Sequence, residues 1–254
     1  MGEESPQARS ERLAETTFLG GPPADFERVG RLGFEVLVRE GLLPSSRVLD
    51  VGCGALRVGY WLMRFLDPGR YFGIEPNREM LNVGLEQLVE PQVVEHADAH
   101  FSHNDDFDFS VFGERFDFVF ARSIWTHASK PQIRAMLASF AECSGPGGVF
   151  LASYHPASPL FSLGQRSPRL AQLSGTAAVQ RLSATVNRLP AIGGANGYAG
   201  EQWVGRSHQS REGGVVRHSL RWIEQQAREL GLTVQLMPYE IVNDQYWLRV
   251  QRPG

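Results

Sequence analysis

The sequence predicts a doubly wound α/β fold, with a mostly parallel sheet covered by helices on both faces. Three observations predict it. Short apolar runs alternate with helix-period segments between residues 47 and 154, the pattern of parallel strands joined by right-handed helical crossovers. The first run, Val48 to Val51, leads into Gly52-Cys53-Gly54, where glycine lets the backbone bend sharply and a ligand approach closely. The second run, Tyr71 to Ile74, ends on Glu75. An acceptor-only carboxylate at that strand end is the group needed to hold both hydroxyls of a ribose.

Each element follows from its residues. Residues 1–16 are polar with scattered charges and read as a disordered tail, leaving 17–254 as one domain. Gly20-Gly21-Pro22-Pro23 is a turn, and from Asp25 to Arg39 the residues Phe26, Val29, Leu32, Val36 and Leu37 recur at helical spacing. Asp25 is the expected N-cap of that helix and Gly41 its stop. Together the turn and helix form an N-terminal cover beside the first strand. Then come strand 47–51, helix 55–66, strand 70–75, helix 77–90, a weak strand at 99–104, strand 116–121, helix 130–143 and strand 148–154. A helix starting near Ala55 would aim unpaired amides and its positive dipole end at the space above the first strand, a receptor for an anionic group. Residues 156–216, rich in Gly, Ser, Pro and Ala, read as an inserted lid or substrate-binding segment. Helix 218–230 then leads through Gly231 into apolar runs at 232–237 and 245–250.

Val48-Leu49-Asp50-Val51-Gly52-Cys53-Gly54 resembles the first motif of the class I S-adenosylmethionine-dependent methyltransferases, and Tyr71-Phe72-Gly73-Ile74-Glu75 resembles their second. Arg115 to Phe120 is similar to the family's fourth-strand motif, and Gly145 to Phe150 to the turn entering its fifth strand. Four ordered motifs over roughly residues 45–155 are far more specific than one glycine loop. The resemblance implies a seven-stranded sheet closed by an antiparallel pair, S-adenosylmethionine as cofactor, and S-adenosylhomocysteine as product. The usual third glycine of the first motif is Leu56 here. A dinucleotide-binding fold is the rival, but its third glycine would fall on Arg57, and it rarely carries an acid at the position of Asp50.

The resemblance assigns the cofactor to Asp50, Gly52, Cys53, Gly54, Glu75, Pro76, Asp106, Phe107 and Ser123, and Arg57 joins them as compensation for the departure at Leu56. Asp50 would orient the loop or reach the cofactor ammonium, and Glu75 would hold the ribose. Asp106 is chosen over Asp105 as the adenine-binding acid, with Phe107 as its neighbour. Arg57 either pairs with the cofactor carboxylate or is a solvated arginine. Ser123 and Trp125 belong to the segment that lines the sulfonium pocket in the family. His127 and His155 follow strand ends on the substrate side, and either is a candidate general base for a hydroxyl acceptor.

Composition bounds the rest. The chain has 254 residues, 42% hydrophobic and 21% charged, with a net charge of −3. These values suit a globular protein and argue against a broad nucleic-acid-binding face. No apolar run approaches the roughly 20 residues of a membrane span, and no signal-peptide core opens the chain, so a cytoplasmic location is expected. Two cysteines, Cys53 and Cys143, do not make a disulfide framework. His96, Asp98, His100 and His103 cluster in sequence but lack a ligand-binding period, so no metal is expected. Arg166, Arg169, Arg181 and Arg188 fall in an acid-free stretch, either an electropositive lid or a solvated segment. The expected activity is methyl transfer to a small-molecule acceptor, preferentially at oxygen and in specialised metabolism. A non-catalytic cofactor-binding protein and a peptide methyltransferase are the alternatives, and a homodimer remains open.

Overall fold

The computed structural model describes residues 4–157, 216–239 and 245–253. The expected lid, with its arginines, lies outside the described residues. Strands β1 (Val48–Val51), β2 (Tyr71–Ile74), β3 (His100–Ser102), β4 (Phe116–Ala121), β5 (Ser144–Pro156), β6 (Arg217–His218), β7 (Thr233–Leu236) and β8 (Tyr246–Gln251) form one sheet. Its order is β3-β2-β1-β4-β5-β8-β7, with β6 pairing the end of β5. The first five strands run parallel, while β8 is antiparallel to both β5 and β7. Strand order reverses between β1 and β4, and ligands of such sheets bind beyond the strand C-termini at that switch point.

Both faces are buried, which is why the strands read as continuous apolar runs rather than as alternating ones. Leu49, Val51, Phe72, Val119 and Phe150 face one core, shared with Ile133, Met136, Leu137 and Phe140 of α6 (Lys130–Cys143) and Leu220 and Ile223 of α7 (Leu220–Glu229). Val48, Tyr71, Phe118, Phe120 and Leu151 face the other, against Val36 and Leu37 of α2 (Phe26–Arg39) and Leu62 and Met63 of α3 (Gly59–Phe65). Helix starts follow local chemistry. Ser129 and Gln132 form a reciprocal capping box on α6, and the Asn77 side chain accepts from the Met80 amide at 3.1 Å to start α4 (Arg78–Val83).

Three expectations need correction. Residues 6–13 are not a disordered tail but helix α1 (Pro6–Leu13), capped by Ser5. Few apolar residues mark it in sequence, and packing holds it. Leu13 and Ala14 enter a small core with Leu19, Phe26, Met80 and Leu88, and Arg9 pairs with Glu90 at 2.6 Å. The segment 77–90 is α4 followed by a single π turn, Gly84–Leu88, and an unexpected helix α5 (Pro91–Ala97) precedes β3. The helix after β1 starts at Gly59 rather than near Ala55, because Leu56 has φ +63 and interrupts the right-handed run.

Candidate active site

A cavity of about 650 Å³ opens beyond the tips of β1, β2 and β4, within the range of roughly 300–1,000 Å³ usual for small-molecule sites. Its floor is the loop after β1. Gly52 and Gly54 have φ +70 and +57, and a β-carbon on Gly52 would collide with the Ile124 side chain. Leu56 takes the left-handed conformation that the missing third glycine would have supplied, while its side chain is fully buried in the core. Core packing thus holds a backbone shape that sterics disfavour.

The loop amides mostly close on the neighbouring strand. Gly52 and Cys53 both donate to the Ile74 carbonyl, at 2.8 and 3.1 Å. The Gly54 amide donates to Glu75 Oε2 at 2.9 Å, and the Asn77 amide to Oε1 at 2.8 Å. Glu75 is buried, which pushes its pKa up, while these two bonds pull it back down. Each of its oxygens keeps acceptor capacity toward the cavity. His103 Nδ1 sits 2.7 Å from the Glu75 carbonyl oxygen and braces the same strand end.

Asp50 is buried at the cavity wall. Its Oδ2 accepts from the Tyr71 hydroxyl at 3.0 Å. Burial raises its pKa to about 7, against the pull of the Tyr71 bond, with the Glu75 charge pushing in the same direction as burial. Cys53 is buried beside the same pair, and its thiol is pushed up chiefly by burial.

The N-terminal segment forms the roof. Phe18, Leu19, Gly20 and Pro22 line the cavity, and Arg57 reaches up from the loop to hold them. Its guanidinium donates to the carbonyls of Gly20 and Pro22 and stacks over Phe26 at 5.1 Å. Burial lowers its pKa to about 10, with Asp25 acting in the opposite sense. Arg57 is therefore neither a solvated arginine nor tied to a carboxylate among the described residues.

Of the sequence-predicted residues, Asp50, Gly52, Cys53, Gly54 and Arg57 line the cavity, as do Glu75, Pro76, Phe107, Ser123 and His127. Asp106 does not. It is exposed, and its Oδ1 accepts from the Asp108 amide at 3.2 Å in a local turn, so Asp105 occupies the wall in its place. His155 does not either. Strand β5 continues past the expected end at residue 154, and His155 is buried within it opposite Arg217 of β6. Trp125 is fully buried against Phe150 and is not on the wall. The histidine cluster is dispersed: His96 ends α5, Asp98 follows it, and His100 stacks on Phe72 from β3.

Residues 48–148 match the family described as Methyltransferase domain. The match spans 101 of the chain's 254 residues and makes this stretch similar to methyltransferase domains. The fold agrees over nearly the whole chain. A magnesium protoporphyrin IX methyltransferase from Synechocystis, solved with bound S-adenosylhomocysteine, superposes with a TM-score of 0.55 at 14% identity, covering 96% of this chain and 93% of that one. A glycopeptide N-methyltransferase gives 0.56 at 15% identity, covering 99% and 100%. An O-methyltransferase family protein from Burkholderia thailandensis gives 0.53 at 16% identity, covering 90% and 57%. At such identities the likeness is one of fold.

The wall has features that fit S-adenosylmethionine, the cofactor implied by the sequence resemblance, on geometry of its own. A buried carboxylate ends β2 with both oxygens fixed by backbone amides, and an acid with a neighbouring aromatic ring, Asp105 and Phe107, stands at the β3 side. Arg122 and Gln245, which belong to none of the predicted site residues, are also on the wall. Arg122 had a signal, a charged residue directly after the apolar run Phe118–Ala121 at the switch point. Gln245 had none, because only tertiary folding brings it to Ser123, whose hydroxyl receives the Gln245 amide at 2.8 Å.

Proposed function

We propose that this methyltransferase acts on a small-molecule acceptor, at an oxygen, in specialised metabolism. One observation carries the reading: the cavity is roofed by the chain's own N-terminal segment, from Ala14 to Pro23, with His127 on its wall. A roofed, partly apolar space suits a compact acceptor better than a macromolecular surface. Among the described residues, no helix is long and apolar enough to cross a membrane.

S-adenosylmethionine supplies a methyl group already activated by its sulfonium. The protein's task is then alignment and exclusion of water. In this reading Glu75 accepts hydrogen bonds from the two ribose hydroxyls, and Asp105 and Phe107 receive the adenine. The glycine loop lets the cofactor's amino-acid end approach the backbone, with Asp50 beneath it. Arg57 holds the roof over the site through Gly20 and Pro22. His127, positioned by the turn after β4 where its amide donates to the Ile124 carbonyl at 3.0 Å, accepts the acceptor's hydroxyl proton on a ring nitrogen as the oxygen is methylated. A base in this role contributes typically about 10²–10⁴-fold.

The test is transfer of an isotopically labelled methyl group to a panel of phenols, hydroxy acids, amines and short peptides, followed by mass spectrometry. Labelled ethers or esters from small acceptors, lost in His127→Ala, support the reading. Labelling of peptides or amines alone overturns it.

A further inference from the structure

Along the strand order β3-β2-β1-β4, the residues at the cavity-facing ends are Asp105, Glu75, Asp50 and then Arg122. The wall is thus acidic on one side of the switch point and basic on the other, where Arg57 adds a second guanidinium. Among the described residues, neither guanidinium forms an ion pair with a carboxylate. Arg57 has only the carbonyls of Gly20 and Pro22, which are neutral. Arg122 follows Ala121 of β4 and makes no hydrogen bond or ion pair with any described residue. Asp25, whose charge reaches both guanidiniums, is itself paired with Arg28 at 3.0 Å. Burial drops the Arg122 pKa to about 9, the charges of Arg57 and Arg28 press it further down, and the Asp25 charge acts in the opposite sense.

A guanidinium taken out of water without a counter-ion is a costly arrangement, tolerated where a ligand completes it. The cofactor brings a single carboxylate, together with an ammonium and a sulfonium. One carboxylate cannot answer two guanidiniums, and the cofactor's ammonium has Asp50 at the loop to face. From this imbalance we infer that the acceptor carries an anionic group, a carboxylate or a phosphate-like oxyanion, which pairs with the Arg122 guanidinium at the β4 end of the cavity. This rests on the methyltransferase reading and narrows its acceptor class. A planar guanidinium takes such a group through two parallel hydrogen bonds, which fixes orientation as well as position. Arg122 thereby positions the acceptor; it takes no part in the methyl transfer itself.

The test uses the full chain saturated with S-adenosylhomocysteine and titrated calorimetrically with benzoate and phenylphosphonate, and with benzamide as the neutral isostere of benzoate. The inference expects at least one anion to bind and benzamide not to compete. It expects Arg122→Met to weaken the anion by about tenfold or more, Arg122→Lys to weaken it less, and both variants to keep the wild-type affinity for S-adenosylhomocysteine within about threefold. Should Arg122→Met not fold, the Lys variant and competition of benzoate with inorganic sulfate on the wild type carry the test. Benzamide binding as well as benzoate, or anion binding indifferent to Arg122, overturns the inference. So does a variant that loses S-adenosylhomocysteine instead, because Arg122 would then hold the cofactor's own carboxylate. Failure of the wild type to bind S-adenosylhomocysteine is a different result: it removes the cofactor site itself.

Discussion

The Gly54 amide donates to Glu75 Oε2 at 2.9 Å, so the carboxylate at the end of β2 holds the glycine loop of β1 in shape. Its other oxygen accepts from the Asn77 amide at 2.8 Å and starts the next helix. One buried side chain therefore joins two strand tips while keeping lone pairs for a ligand. Glu75→Gln preserves the shape but replaces one acceptor by a donor, leaving one amide facing an NH₂ group. The expected cost is about 1–3 kcal/mol of stability in urea denaturation, with faster hydrogen exchange at Gly54 or Asn77.

Leu56 gives a prediction with an unusual sign. It is fully buried and has φ +63. Leu56→Ala removes the packing, at about 2–5 kcal/mol, and keeps the left-handed strain. Leu56→Gly removes the same packing and relieves strain of roughly 1–2 kcal/mol. Glycine should therefore be the milder substitution, reversing the usual ranking in a core. Equilibrium denaturation of the two variants checks the order.

Gly30 sets two effects against each other. Alanine favours a helix interior over glycine by about 1 kcal/mol. A β-carbon at this position of α2, however, would overlap the Arg57 carbonyl oxygen and crowd the Trp61 indole nitrogen. The obstacle is main chain and cannot rotate away. Gly30→Ala should lower the melting temperature and loosen the roof, read as faster proteolysis within residues 14–25.

The buried acid Asp50 gives a pH dependence. Burial lifts its pKa from 3.8 to about 7 in the folded protein, so the native state holds this proton more tightly than the unfolded chain does. Its contribution is fully present below about pH 4 and is lost as pH rises toward 7, up to roughly 4 kcal/mol at about 1.4 kcal/mol per pH unit. The stability difference between wild type and Asp50→Asn should therefore fall from pH 4 to 7 and level off above. A difference that grows with pH over that window would mean that Asp50 is ionised and stabilised instead.

The parts legible in the sequence were those set by local chemistry. The apolar strands, the glycine turn and the acid after β2 all declare themselves over a few residues. Arg57 was visible as a residue, but its bond to Gly20 spans 37 positions, and nothing local predicts it. Helix α1 was missed because its stability comes from Leu13, Ala14 and the Arg9–Glu90 pair rather than from an apolar stripe. The choice between Asp105 and Asp106 was beyond periodicity, since a one-residue turn at Asp108 decides which carboxylate faces the cavity. His155 was misplaced because β6 extends the ladder of β5, a pairing between segments some 60 residues apart.

Calorimetric titration of the purified chain with S-adenosylhomocysteine, repeated with Glu75→Gln and with a nicotinamide dinucleotide, tests the central claim most directly. The structure predicts one site per chain for S-adenosylhomocysteine, weakened by about tenfold or more in the variant, and no heat from the dinucleotide. Binding of the dinucleotide with none of S-adenosylhomocysteine, or equal binding by wild type and variant, would contradict it.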